Sequence, residues 1–511
     1  MNKVIATVKK NMKQYTMMLA LVVIVLMFQT LTGGKLLFPM NVYNIINQNA
    51  YIVILAIGML LCIIGSGSID LSVGSLVGLV GACAGTFIMK WKWDPYLSIL
   101  LCMCVGLLLG VWQGFWIAYV KIPAFIVTLS GMLVFRGATL IILQGGKAIP
   151  VFPVEFYQFF KGTVPEFIGV WQVAGMSIYL TCLLLGVLIA VVYCVMQVVS
   201  NRNKKRKGYE YATPGSLIAR MVIISAIVIW FFTLLARYKG IPAVLLVLGL
   251  IAAIYTFVTT KTVVGRHIYA MGGNAKAARL SGVKTERLMF FSYVNMGLLA
   301  GIAGMVYAAR LDSATPMAGD GFELDAIGAC FIGGASAYGG IGAVSGSVIG
   351  ALIMGILNNG MNILGMDANM QKLVKGLVLL AAVAVDVISR NQGGRGILQN
   401  YIDVIKKYAV LSGRARRKEY WMFYLVNGII SFVLGYLATY NLVLVIIACV
   451  YAVAIIPPSL GVAVRRLHDT GRRGVLLLLS LIPVVGTVIL VIMLCQDSNP
   501  GKNEYGEYPK K

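Results

Sequence analysis

Few residues in this chain could do chemistry, and most stand alone in apolar surroundings. Asp70 lies in GSGSIDLSVGS, and Asp325 lies in GFELDAIGACFIGGASAYGG, each between apolar runs. An acid so placed can hold a proton or a sodium ion or bond a polar solute, or it can cap a half-helix at a membrane surface. Ser72 adds a hydroxyl beside the first acid. Asn358 and Asn359 add amides that either tie helices together or face a conduit able to pass hydroxyl groups. His468 and Asp469 could pair as a base and its orienting acid. No nucleophile or metal-ligand set accompanies them, and four arginines stand beside them, so the pair reads as structural or lipid-facing. The nine cysteines sit inside apolar runs without metal spacing and read as small hydrophobes. There is no GxxxxGKS or GxxxxGKT, no HExxH, no CxxC and no nucleophile elbow. The expectation is a protein with no catalytic residue, no metal and no cofactor bound directly.

The elements that must position these residues are membrane spans. Of 511 residues, 59% are hydrophobic and only 12% are charged, which describes a polytopic all-α transmembrane bundle. The net charge of +25 is no sign of nucleic acid, because the charges fall in discrete clusters between apolar runs. They act as topology signals and as contacts for anionic lipid. Spans are expected near 15–32, 45–64, 71–89, 96–119, 124–143, 174–199, 217–236, 242–260, 288–308, 323–337, 342–362 and 373–389. A basic start (Lys3, Lys9, Lys10, Lys13), NRNKKRK at 201–207 and Arg390 then all fall on one side, with the N-terminus cytoplasmic. The first apolar run reads as a retained span, since no small-residue cleavage site follows it.

Both acid-bearing segments break the helical pattern, and their similar patterns hint at an internal repeat. Irregular backbone at membrane depth must be buried in protein or line a wet cavity, so both breaks are pathway candidates. Gly342, Gly346 and Gly350 are spaced to share one face of the following helix and to let a neighbour approach closely. The proline-bearing segment 144–174 reads either as an ordinary loop or as part of a docking surface.

The long polar segment 260–287, TKTVVGRHIYAMGGNAKAARLSGVKTER, carries six basic residues and one acid. Its centre predicts a short helix over 275–280, with Asn274 as N-cap and Gly282 at the C′ position. Gly272 and Gly273 would turn the chain sharply just before it. Such a helix reads either as a lever, which transmits force only if another protein grips it, or as a helical turn in a connecting loop. After residue 390 the composition changes to NQGGRGILQ, a linker over 391–411. A second membrane module over 412–511 follows, with a basic approach to a span and apolar runs near 441–460 and 475–494.

GRHIYAMGGNAKAARLSGV resembles the cytoplasmic coupling loop of bacterial ABC importer permeases for sugars, the ribose/xylose/galactose family. GSIDLSVGS (Gly67–Ser75), GFWIAYVKIPAFIVTLSGM (Gly114–Met132), GFELDAIGACFIGGASAYGG (Gly321–Gly340) and GILNNGMNILG (Gly355–Gly365) agree with it and occur in the family's order. The resemblance covers roughly residues 1–390 and is strongest to the long, multiple-monosaccharide or xylose-type members. It implies a permease bundle of about 10–12 helices in a bacterial inner membrane, working as a homodimer. Its expected partners are a separate ATPase that uses the ATP and an extracytoplasmic sugar-binding protein, and its substrate would be a monosaccharide. It also implies that the loop, with Gly272, Gly273, Asn274, Ala277, Ala278, Arg279 and Gly282, docks into a groove on the ATPase. There the small residues would allow close contact and Arg279 would meet an acid of that subunit. RRLHDTGRRG with NPGKNEYGEYP resembles a small inner-membrane family of unknown function, DUF805-like, whose fusion here departs from ordinary permeases. An ion-coupled secondary transporter using Asp70 or Asp325 is the alternative, and it leaves the coupling loop unexplained. A third reading makes the C-terminal module a membrane sensor or assembly factor.

Overall fold

The computed structural model describes residues 12–150, 152–173, 176–209, 211, 213–391, 397–408, 410–438, 442–481 and 485–509. The basic start at Lys3, Lys9 and Lys10 and the linker core at 392–396 lie outside the described residues. The chain forms two compact units, Met1–Val383 and Ala384–Lys511. Ten described helices are long and apolar enough to cross a bilayer, so this is a multi-pass, all-α membrane protein.

The first unit begins with α1 (Met12–Leu31) and α2 (Pro39–Ser66). Pro39 opens α2 at a position where its missing N–H costs nothing, and Gly67 closes it in the left-handed conformation at φ 67°. From Asn49 to Gly65 every residue of α2 is buried. A helix apolar on all sides belongs at the centre of a bundle, and α2 is the axis of this one. After the first break come α3 (Val73–Gly85), α4 (Pro95–Ala118) and α5 (Ala124–Ile142). Asp94 caps α4 by accepting from the Tyr96 and Leu97 amides.

Segment 144–174 is more structured than a plain loop. It holds β1 (Ile149–Pro150) and α6 (Val154–Phe160), and then β2 (Val170–Val173) forms a hairpin with β3 (Met176–Tyr179). Two peripheral helices, α7 (Leu180–Arg206) and α8 (Pro214–Ala236), leave wide apolar faces exposed. Next come α9 (Ala243–Lys261), α10 (Val263–Gly273), α11 (Ala275–Leu280) and α12 (Thr285–Leu311). β4 (Ser313–Ala314) pairs antiparallel with β1. The unit closes with α13 (Phe322–Ile332), α14 (Val344–Ile363) and the part of α15 (Ala368–Asn391) up to Val383. Around α2 stand α9, α10, α12, α13 and α14.

Glycines set two of the tightest crossings. On α4 and α12, Gly106 and Gly110 face Gly297 and Gly301, and a Cβ at Gly106 would stand 2.6 Å from the Gly297 carbonyl oxygen. Close backbone approach of this kind replaces hydrophobic drive between helices in lipid.

Two expectations need correction. The second break is narrower than predicted: Phe322–Ile332 is regular helix, with Glu323 and Asp325 in its first turn, where acids suit the helix dipole. Only 333–343 is irregular, with positive φ at Gly334, Gly339 and Gly340. Gly342 therefore precedes α14 and does not share a helix face with Gly346 and Gly350. The apolar run 475–494 holds a 3-10 helix (Gly474–Leu481) and α19 (Val485–Cys495).

The second unit comprises α16 (Ile397–Lys406), α17 (Arg417–Ala438), α18 (Leu442–Asp469), the 3-10 helix and α19. Its separate core is built on Tyr401, Val404, Phe423, Val462, Leu467 and Leu494.

Candidate coupling and translocation site

The candidate coupling segment is two helices set end to end. Thr262 caps α10, its hydroxyl oxygen accepting from the Gly265 amide at 3.2 Å. Ile268 and Met271 turn inward. Asn274 breaks the helix in extended backbone and caps α11, accepting from the Ala277 amide at 3.0 Å. At the far end the Val283 amide donates to the Ala278 carbonyl and the Gly282 amide to the Arg279 carbonyl, both at 3.0 Å, with Gly282 at φ 85°. This is the Schellman arrangement, which glycine at C′ permits.

Two roles differ from expectation. Gly272 and Gly273 are helical, and the turn falls at Asn274. Ala278 is buried against the protein, so it is not offered to a partner. The exposed face carries Asn274, Lys276, Ala277, Arg279 and Leu280. Leu280, which the sequence reading passed over, is 90% exposed. Arg279 already has an acid, Glu286 at 3.4 Å, in a surface pair of little energetic weight.

Gly272 is where the coupling segment meets both breaks. A Cβ there would fall well inside 3.0 Å of both the Ile64 carbonyl oxygen and the Gly340 amide nitrogen. The Gly340 amide donates to the Ile64 carbonyl at 2.8 Å, and the Tyr269 hydroxyl donates to the Gly342 carbonyl at 2.8 Å. Gly67 lies against Ala337 to Gly339, where a Cβ would stand 2.8 Å from the Ala337 carbonyl oxygen. At Gly272 and Gly67 backbone touches backbone, with no side chain between them to absorb motion. Beside this junction opens a cavity of about 610 Å³ whose lining includes Ser66, Ser68, Lys121, Asn274, Arg279 and Glu286.

The two acids lie in different settings. Asp325 is paired: Lys375 Nζ stands 2.9 Å from its Oδ1, and the Tyr51 hydroxyl donates to its Oδ2 at 3.0 Å. Lys375 and Tyr51 are functional candidates the sequence reading missed, although a lysine within an apolar run was a visible signal. Asp70 Oδ1 accepts from the Ser72 amide at 2.9 Å and from the Ser72 hydroxyl at 2.7 Å, and Gln113 Nε2 donates in turn to that hydroxyl. Asn359 is tied to Asn41 by reciprocal amide bonds of 2.9 and 3.0 Å, while the Oδ1 of buried Asn358 has no partner. Gly346 and Gly350 face Gly333 and Ala329 across α13 and α14, where any Cβ would fall well inside 3.0 Å of backbone.

In the second unit, Asp469 is buried between Arg414, at 3.0 Å, and Arg466, and it accepts from the Ser498 hydroxyl at 2.6 Å. Arg414 also donates to the Asn499 and Gly501 carbonyls. The His468 ring stacks on Tyr505 with centroids 3.9 Å apart. The motif thus clamps the C-terminal tail.

Comparison with known proteins fits this division. Residues 41–383 match the family described as branched-chain amino acid transport system / permease component. Residues 408–507 match a family of unknown function, DUF805. The chain is 37% identical over 382 residues to the xylose transport system permease protein XylH of Haemophilus influenzae, covering 75% of this chain and 98% of that relative. It is equally identical to XylH of Escherichia coli K12, covering 93% of it. With the ribose import permease protein RbsC of the same strain it shares 33% identity over 369 residues, 72% of this chain and 92% of the relative. No solved structure matches the chain.

Proposed function

The chain belongs to the branched-chain amino acid transport system / permease component family, and from that premise we propose that its first unit is the translocation subunit of an ATP-driven monosaccharide importer. The sugar class follows from the xylose and ribose permeases among its relatives. A separate ATPase hydrolyses the ATP, and α11 is its grip on the membrane domain. The observation that carries this reading is the Gly272 junction. A push on α11 passes through α10 to Ile64 and Gly340, and so reaches both breaks at once.

In this reading the end of the bundle that bears α10 and α11 faces the cytoplasm, with the basic Asn201–Lys207 run on the same side. The hairpin of β2 and β3 lies at the other face, where an extracytoplasmic sugar-binding protein delivers substrate. A second copy of the chain completes the pathway. Leu280 seats in an apolar pocket of the ATPase, and Arg279 exchanges Glu286 for an acid of that subunit.

The test is a pull-down of the full chain from native membranes in mild detergent, beside a variant carrying Arg279→Glu and Leu280→Glu. Both sites are exposed, so the fold survives the change. A sugar-importer ATPase should co-purify with the unaltered chain and be lost from the variant. Equal recovery with both would move the docking site elsewhere. No ATPase with either, under conditions that hold known importers together, would end the ATP-driven reading.

A further inference from the structure

Asp70 and Asp325 are buried acids of the first unit, and among the described residues a counter-charge stands only beside Asp325. Asp325 has Lys375. Around Asp70, no lysine, arginine or histidine among the described residues comes within ion-pair reach. Asp70 is 1% exposed. Its amide lies 3.4 Å from Met59 Sδ, so the break folds back to a level seven residues before the end of α2, about 10 Å inside it at ~1.5 Å per residue.

Four helices enclose it. α2 contributes Met59 and Cys62, α4 contributes Gln113, and α12 contributes Tyr293. α5 contributes Gly131, where a Cβ would stand 2.7 Å from Gln113 Nε2. The titratable groups that face Asp70 are thus Cys62 and Tyr293, both neutral in their ordinary state.

The hydrogen-bond count does not close. Ser72 gives both its donors to Oδ1 and takes one from Gln113. Asp70 Oδ2 and Gln113 Oε1 are buried with no partner among the described residues. Gln113 and Tyr293 are fully buried. Two free acceptors, one of them a carboxylate oxygen, lack a positive charge. A bare carboxylate in such surroundings is strongly disfavoured unless it is neutralised.

We propose that this cage binds one monovalent positive charge, either a proton on Asp70 Oδ2 or an alkali cation taken by Asp70 Oδ2 with Gln113 Oε1. The break that holds Asp70 begins at Gly67, which packs on Ala337 to Gly339 next to Gly272. Occupancy of the cage is therefore linked to the position of the coupling end, whichever solute the protein carries.

The experiment uses the full chain in lipid nanodiscs, with Asp70→Asn and Asp325→Asn beside it. If the charge is a proton, infrared spectra at neutral pH show a protonated carboxyl stretch that Asp70→Asn removes and Asp325→Asn keeps. If it is an alkali cation, that stretch is missing. Sodium or potassium in place of choline then raises Tm with concentration, and the rise vanishes in Asp70→Asn. Neither signal, or a signal that survives Asp70→Asn, overturns the proposal. Should Asp70→Asn fail to fold, Gln113→Leu keeps the acid and removes its neighbour. It must shift the carboxyl stretch or abolish the cation-dependent rise, and unchanged behaviour counts against the cage.

Discussion

Gly272 and Gly273 are adjacent, yet one methyl group should separate them. At Gly272 a Cβ meets the Ile64 carbonyl oxygen and the Gly340 amide nitrogen, which are backbone atoms that cannot swing aside. Overpacking of this kind costs about 1–3 kcal/mol. At Gly273 nothing lies within 4 Å, and in a helix alanine is favoured over glycine by roughly 1 kcal/mol. Gly272→Ala should lower Tm and abolish transport, whereas Gly273→Ala should hold or raise Tm and keep transport. Thermal melts of the purified chain with uptake assays decide it, and equal melting of the two variants would remove the junction from the mechanism. In the sequence the two glycines cannot be told apart, because the difference lies 208 positions upstream and 68 positions downstream of Gly272, at Ile64 and Gly340. The same holds for the acids. Asp70 and Asp325 look alike in their apolar runs, and Lys375, 50 residues beyond the second, makes one a paired group.

At the scale of elements, α11 is too short to persist by propensity, since helices shorter than ~12–15 residues are marginal alone. Its two caps hold it. Asn274→Ala removes the bond to the Ala277 amide and should cost about 1 kcal/mol. Gly282→Ala forces a side chain into φ 85° and should cost about 1–2 kcal/mol. Amide exchange at Ala277 and Val283 should then quicken roughly tenfold for each ~1.4 kcal/mol, with no change at the α2 amides. Uniform exchange across the bundle would show instead that α11 opens only with the whole unit. These caps were legible in the sequence because capping is local chemistry. α10 was not. Its glycines at 272 and 273 read as a sharp turn, and its apolar face has meaning only against α2. The long spans were legible for the opposite reason: bilayer thickness sets their length whatever their neighbours. α13 fell between the two, because the glycine pairs beyond Ile332 resemble a broken span until the helix before them is seen.

The largest question is whether the two units need each other. Each has a core of its own, on α2 in the first and around Phe423 and Leu467 in the second. The second is closed by its tail: Ser498, Asn499 and Gly501 satisfy Asp469 and Arg414. Hydrogen bonds to buried charged groups are worth about 1.5–3 kcal/mol each, so removing 498–511 strips several at once from groups that cannot reach water. Deletion of that tail should therefore abolish the unfolding transition of the second unit and leave that of the first in place, as calorimetry of the full chain and the deletion would record. A chain ending at Asn391 keeps α15 whole and every contact of the first core. It should melt as the first unit does in the full chain and retain uptake to within about twofold, which is ~0.4 kcal/mol on the rate scale. If the shortened chain folds but loses uptake, the second unit takes part in transport. If it fails to accumulate, the two cores are one cooperative body despite their separate packing. Survival of both fold and uptake would leave the tail-clamped unit as an accessory to transport.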